Sequence, residues 1–349
     1  MNKFPRNHWY AAAWASEIGD APVGRRILDE PVVLFRGGDG KVAALEDRCP
    51  HRLVPLSMGT VVNGALQCGY HGMTFGADGQ CVRIPGQERI PPRAVVRNYP
   101  IAERYGMAWI WMGEAERADP ELLPEIPHFD DPDWGKITDG YQHHPSNYLN
   151  IVENLMDPSH TTFVHKQTIG NPAAANAGVQ MEKTDDYIVA YKWLPSSPPS
   201  PMDMQIKDFG DGKVDRGQFF YFEVPCVSRV DIITMPAGLE RTEENFNKGL
   251  RNNSYKFLTP ETETSTHFFW MHLRNYNVGD DAWSERMRGV FEKTFNEDRD
   301  IEMAMQESQN LLGVRQMVGL EIDRAPTIAL KMIERLVKDE NAAAETVAA

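Results

Sequence analysis

Cysteine and histidine occur together twice within one short span, as Cys49-Pro-His51 and Cys68-Gly-Tyr-His71, with sixteen residues between the two halves. Two thiolates and two imidazoles so spaced call for a metal, and a metal ties both loops to one point. Pro50, Gly69 and Gly72 favour tight turns. The flanks read as strands, VVLFR (32–36), KVAALED (41–47) and the run around QCVRI (80–84), with GGDG (37–40) and ADGQ (77–80) as hairpin signals. Cys2His2 sets are commonly zinc sites, but zinc fingers group Cys with Cys and His with His, the second pair on a helix. Here each loop supplies one of each within β structure. That is the layout of a [2Fe–2S] cluster with one iron on two thiolates and the other on two imidazoles, whose neutral ligands raise the potential.

Bulk properties narrow the class. The 349 residues, 42% hydrophobic and 25% charged, suit two domains with real cores. No apolar run approaches the roughly 18 residues of a spanning helix. The opening MNKFPRNHWYAAAWASEIGD shows no signal peptide, so a cytoplasmic location is expected. A net charge of −14 repels phosphate backbones and argues against nucleic acid. Four cysteines make no disulfide framework, and Cys81 and Cys226 read as plain buried thiols.

MAWIWMG (107–113) alternates like a half-buried strand, and the acidic, proline-rich stretch near 114–135 reads as a linker. Beyond it, SNYLNIVENLMDPSH (146–160) is a helical candidate. Loops GNPAAANAG (170–178) and SSPPSPMDM (196–204) interrupt strands such as YIVAYKWL (187–194), QFFYFEV (218–224) and THFFWMHLRNY (266–276). A long helix at about 281–312 and a shorter one near 325–338 close the chain. The expected division is an all-β domain over 1–118, an α+β domain over 119–340 and a disordered tail over 341–349.

A second constellation lies in ENLMDPSHTTFVH, where Asn154, Asp157, His160 and His165 fall within twelve residues. On a helix, Asn150, Asn154 and Asp157 form a polar stripe beside an apolar one of Tyr148, Val152 and Leu155. Either histidine alone reads as a core residue. Downstream of an electron-transfer centre, the pair needs only a carboxylate to make the facial triad of a mononuclear non-haem Fe(II) oxygenase. The long C-terminal helix offers one, since its stripe runs Met287, Phe291, Phe295, Asp298, Glu302, Met305. Asp298 is the first choice and Glu302 the second, with Glu297 and Asp300 expected to point elsewhere. A buried carboxylate is costly unless paired or bound to metal.

C-x-H-x16-C-x2-H is the Rieske signature, and NLMD-x2-H-x4-H resembles the catalytic motif of Rieske non-haem iron oxygenases. More narrowly, the chain is similar to the single-subunit group that includes vanillate O-demethylase oxygenase, toluenesulfonate methyl-monooxygenase and dicamba O-demethylase. The likeness covers NHWYAAAW, both metal loops, IPGQE (84–88), ERYGMAWIWMG (103–113), the NLMD helix and TPETETSTHFFW (259–270). It implies an N-terminal all-β Rieske domain followed by an α+β catalytic domain of helix-grip type, an antiparallel sheet with helices. Cys49 and Cys68 would hold one iron of the cluster and His51 and His71 the other. His160, His165 and Asp298 would hold Fe(II), a choice of acid that the EDRD stretch also favours. Asp157 would bridge His71 of a neighbouring subunit to His160 in a ring trimer, and Asn154 would stand near the iron. NAD(P)H electrons would arrive through a separate flavin and iron–sulfur reductase, with or without a ferredoxin. O2 would then hydroxylate a substituted aromatic compound, a methoxy- or methyl-bearing aromatic acid being favoured; attack on an O-methyl group yields a phenol and formaldehyde.

Other readings remain open at this point: a ring cis-dihydroxylase, an N-demethylase, or a Rieske electron carrier whose second domain only binds a ligand. Pocket candidates are Gln218, His267, Trp270 and His272.

Overall fold

The computed structural model describes residues 2–166, 178–209 and 212–348. Two compact units result. The first comprises Met1–Pro124 with Thr259–Glu263 and Val337–Ala349; the second comprises Glu125–Leu258 and Thr264–Leu336.

The first unit is built from β1 (Trp9–Trp14), β2 (Val23–Ile27), β3 (Glu30–Arg36), β4 (Val42–Glu46), β5 (Thr60–Val62), β6 (Ala65–Gln67), β7 (Thr74–Phe75), β8 (Cys81–Arg83), β9 (Asn98–Tyr99), β10 (Ile101–Arg104) and β11 (Met107–Trp111). They form antiparallel sheets in the orders β2-β3-β4-β9, β5-β6-β7-β8 and β1-β11-β10. Strand β11 is central in its sheet, and all five of its side chains are buried, where alternation had predicted one solvated face. Both GGDG and ADGQ lie at turns, each closed by a backbone bond from a glycine, Gly37 to Lys41 and Gly76 to Gln80.

The tail corrects an expectation. It is helical through Ala348 rather than disordered, because alanine-rich sequence favours helix and the first residues of the chain hold it. Glu340 accepts the backbone N–H groups of Arg6 and Asn7 at 2.7 and 2.9 Å. Asn341 exchanges two hydrogen bonds with the backbone of Asn2.

The elements that follow are β12 (Gly135–His144), α1 (Tyr148–Leu155), α2 (Thr161–Val164), β13 (Gln180–Lys183), β14 (Tyr187–Ser197), α3 (Pro201–Ile206), β15 (Val214–Glu223), β16 (Val227–Pro236), α4 (Glu243–Lys248), β17 (Leu250–Thr262), β18 (Ser265–Arg274), α5 (Asp281–Leu312) and α6 (Arg324–Ala348); all belong to the second unit except β17 from Thr259 on and α6 from Val337 on. Seven strands form one sheet, β12-β18-β17-β16-β15-β14-β13, and α5 lies against it. Antiparallel register places Arg216, Gln218 and Phe220 opposite Thr234, Ile232 and Val230, and the last two opposite Asn252 and Ser254. Side chains alternate along strands, so these residues share one face.

Sequence sets the limits of the helices. Asp280 caps α5 by accepting from the Trp283 N–H at 2.8 Å, and Gly313, at φ +70°, ends it in the left-handed conformation. The helix expected over 146–160 is shorter. It stops at Leu155, because Asp157 precedes Pro158 and a residue before proline is pushed out of helical geometry. Part of the loop expected at 196–204 forms α3, capped by Ser200, whereas residues 170–177 of the other expected loop lie outside the described residues. Among the described residues, no helix is long and apolar enough to cross a membrane.

Candidate metal centres

The cluster loops project from the β4–β5 and β6–β7 connections. In the first, the Cys49 N–H donates to Val54 O and the Leu53 N–H returns to Cys49 O. In the second, Cys68 N–H donates to Met73 O and Gly72 N–H to Cys68 O. Two glycines make the second turn possible. Gly72 has φ +72°, and a Cβ on Gly69 would lie 2.8 Å from Met58 O. The curled backbones turn both cysteines inward, Cys49 and Cys68 being 2% and 3% exposed in a core that includes Val33, Leu56, Leu66 and Phe75. Both imidazoles stay outside, His51 and His71 being exposed with ring centres 4.7 Å apart. Burial, with Cys68 beside it, raises the Cys49 thiol above its ordinary range. Paired inward sulfurs and paired outward nitrogens fit a cluster with chemically distinct irons. All four cysteines are buried thiols, Cys81 and Cys226 among them.

The second centre is assembled from distant parts of the chain. His160 and His165 flank α2, while Asp298 comes from the sheet-facing stripe of α5, one turn past Thr294 and Phe295. Their ligating atoms lie within 4.8 Å of one another, and Asp298 Oδ1 stands 3.6 Å from His160 Nε2 and 3.1 Å from His165 Nε2. The other ring nitrogens are occupied. His160 Nδ1 donates to the main-chain carbonyl of Asp157 at 2.5 Å, and His165 Nδ1 donates to Glu297 Oε2 at 2.9 Å. Those contacts orient both rings and turn both Nε2 atoms toward Asp298, the donor set of a facial triad. Burial lowers the pKa of His160. At His165 burial acts the same way, but Asp298 and Glu297 outweigh it and the pKa rises.

The neighbours of the triad sort differently from the sequence reading. Glu297, expected to point elsewhere, is the carboxylate that orients His165. Glu302, the second choice for the acid, is fully buried but hydrogen-bonded to His144 Nδ1 at 2.6 Å. Asn154 donates from Nδ2 to Asp298 Oδ1 at 3.1 Å. Asp157 touches His160 through its carbonyl, while its carboxylate Oδ1 accepts from the N–H and hydroxyl of Ser159. Asn150 lies in a buried amide network with Ser146 and Gln309, apart from these contacts.

A cavity of about 350 Å³ opens beside the triad. Its walls are the shared face of β15, β16 and β17 with α3 and α5, including Met202, Ile206, Phe220, Val230, Ile232 and Phe291. Of the four pocket candidates, Gln218 and His272 line it. Trp270 packs behind, with its ring edge-on to His272 and Phe295, and His267 bonds the Tyr141 hydroxyl at 2.9 Å. Arg216, Thr234 and Lys256 also line it and carried no recognisable motif. Burial lowers Lys256 to about 7, with Asp298 acting in the opposite direction.

Loops, triad and cavity together define a Rieske-type oxygenase component. Comparison with known proteins agrees: residues 8–100 match the Rieske [2Fe-2S] domain and residues 145–339 the vanillate O-demethylase oxygenase C-terminal domain. A putative toluene-4-sulfonate monooxygenase system iron-sulfur subunit of Comamonas testosteroni is 36% identical over 96% of this chain and 98% of its own. The vanillate O-demethylase oxygenase subunit of a Pseudomonas strain is 34% identical over 98% and 97%. The crystal structure of dicamba monooxygenase bound to 3,6-dichlorosalicylic acid superposes with a TM-score of 0.87 at 33% identity, covering 97% of this chain and 99% of that one. Another dicamba monooxygenase structure holds non-haem iron and dicamba, at a TM-score of 0.81 and 32% identity over the same shares. The chain therefore belongs to the vanillate O-demethylase oxygenase family, and is the oxygenase component of a Rieske monooxygenase with a [2Fe–2S] cluster and a mononuclear iron.

Proposed function

We propose that this oxygenase oxidises a methoxy- or methyl-bearing aromatic acid, with O-demethylation to a phenol and formaldehyde as the favoured outcome. The observation that carries the reading is the convergence of His160, His165 and Asp298 on the wall of a largely apolar cavity of about 350 Å³. Full-length likeness to subunits named for vanillate and toluene-4-sulfonate supports the substrate class.

His160, His165 and Asp298 would hold the iron; Cys49, His51, Cys68 and His71 would hold the cluster. When bound, these groups supply O2 activation and single-electron transfer. The chain itself supplies orientation. Glu297 and the Asp157 carbonyl set the imidazoles, Asn154 steadies Asp298, and the apolar walls hold an aromatic ring and exclude water. The second oxygen of Asp157 lies outside its bonds to Ser159 and would meet the partner subunit's His71 in a homotrimer. The electron source would be a flavin and iron–sulfur reductase, with or without a ferredoxin, which draws on NAD(P)H and implies a cytoplasmic setting.

Purified protein with a surrogate reductase and NADH should release formaldehyde from members of a methoxylated benzoate panel and contain three irons per chain. A cis-diol product would make it a dihydroxylase. Two irons per chain without product would leave an electron carrier.

A further inference from the structure

Arg216 is a buried cation in the wall of this largely apolar cavity. It sits on β15 with 7% exposure and lines the cavity beside Gln218. A guanidinium presents five N–H donors. The carboxylate paired with it, Asp203 Oδ2, stands 3.5 Å from Nε and already accepts the Ser200 N–H at 2.9 Å and hydroxyl at 2.6 Å, capping α3. Asp203 thus offsets the charge without filling the donors. Arg216 Nε and Nη1 are buried and have no hydrogen-bond acceptor among the described residues.

Its cross-strand neighbour shows the same deficiency. Thr234 pairs with Arg216 in register, is fully buried, lines the cavity, and its hydroxyl has no partner among the described residues. Buried polar groups left unpaired are costly, so two at facing positions imply a ligand that supplies acceptors. The neighbouring cations are engaged elsewhere. Arg251 bridges Asp231 and Glu243, and Lys256 donates to Ser254 O in the field of Asp298.

We propose that Arg216 and Thr234 form an anion subsite that receives the acid group of the aromatic substrate, carboxylate or sulfonate, and selects acids over neutral analogues. A planar acid group satisfies two guanidinium donors at once, with the threonine hydroxyl as a third. The inference rests on the reading of this cavity as the site of aromatic oxidation.

The test measures binding calorimetrically to the metal-loaded protein without reductant. Matched probes are 4-methoxybenzoate with 4-methoxybenzamide, and 4-toluenesulfonate with 4-toluenesulfonamide. Wild type should bind at least one acid about tenfold or more tighter than its neutral partner, a difference of about 1.4 kcal/mol. Arg216→Gln should erase that preference while the amides bind as before. Arg216→Lys should keep part of it, and Thr234→Val should reduce it less. The cluster's visible spectrum and an unchanged Tm certify that each variant is folded. Equal binding of acids and amides by wild type, failure of every acid to bind, or a preference surviving in Arg216→Gln overturns the subsite. Acid-selective binding without formaldehyde release would instead sink the proposed demethylation and leave the subsite standing.

Discussion

In the cluster loops the sulfur donors are buried and the nitrogen donors exposed, whereas in the triad His165 and Asp298 are buried and face a cavity. The loops draw their donors from 23 consecutive residues, Cys49 to His71, and the triad draws one of its three from the far end of the chain. The difference follows from the tasks. A group that exchanges electrons with other proteins gains from an exposed edge. A group that admits O2 and substrate gains from walls that exclude water, and such walls require a sheet face and a helix laid across it.

The contrast holds only if the two centres load independently, and the largest expected effect tests that. His160→Ala should abolish mononuclear iron binding and lower turnover by more than about 100-fold, beyond the ~10–100-fold typical of losing a group that only supports a ligand. The cluster's visible spectrum should persist. Its loss would mean that the two sites are one folding unit. Next in size is Asp157→Asn, expected to retain all three irons but to slow turnover by on the order of 100-fold, the upper end of that range. Its carboxylate hydrogen-bonds Ser159 rather than a residue of the triad, so a purely local role predicts little change. Unchanged turnover at equal iron content would remove Asp157 from the electron path.

Legibility followed the same division. The cluster loops could be read from spacing because donors at hairpin tips are neighbours in sequence. The burial of Asp298 could be read because a carboxylate after Phe291 and Phe295 falls on the apolar stripe of α5. Glu297 could not, since helical phase places it beside the stripe, and its partnership depends on His165 arriving from α2. Arg216 and Thr234 were equally hidden: their pairing is a matter of strand register, which no local pattern encodes. The helical tail was missed because its anchors, Asn2, Arg6 and Asn7, lie at the opposite end of the chain.

Glu297 gives a smaller and sharper test of how the enclosed centre is held. Glu297→Gln keeps an acceptor for His165 Nδ1 but removes its charge, so iron affinity should fall about tenfold, the lower end of the outer-ligand range. Competition with a chelator, followed by the iron remaining per chain, measures it. An unchanged affinity would show that His165 is oriented by packing alone.

The smallest effect is expected at Glu302, on the same stripe as Asp298 and more deeply buried. Burial raises its carboxyl above the ordinary range despite the hydrogen bond to His144, so the charged form is already costly in place. Glu302→Gln relieves that cost while weakening the bond to His144 from charge-assisted to neutral. The two changes oppose each other and leave a net loss of about 1 kcal/mol or less. Iron content should be unchanged. Thermal melts with parallel iron analysis decide the matter: a variant that melts normally but lacks the third iron would transfer the ligand role from Asp298 to Glu302. Asp298, which lines the cavity where Glu302 does not, would then no longer define the enclosed centre.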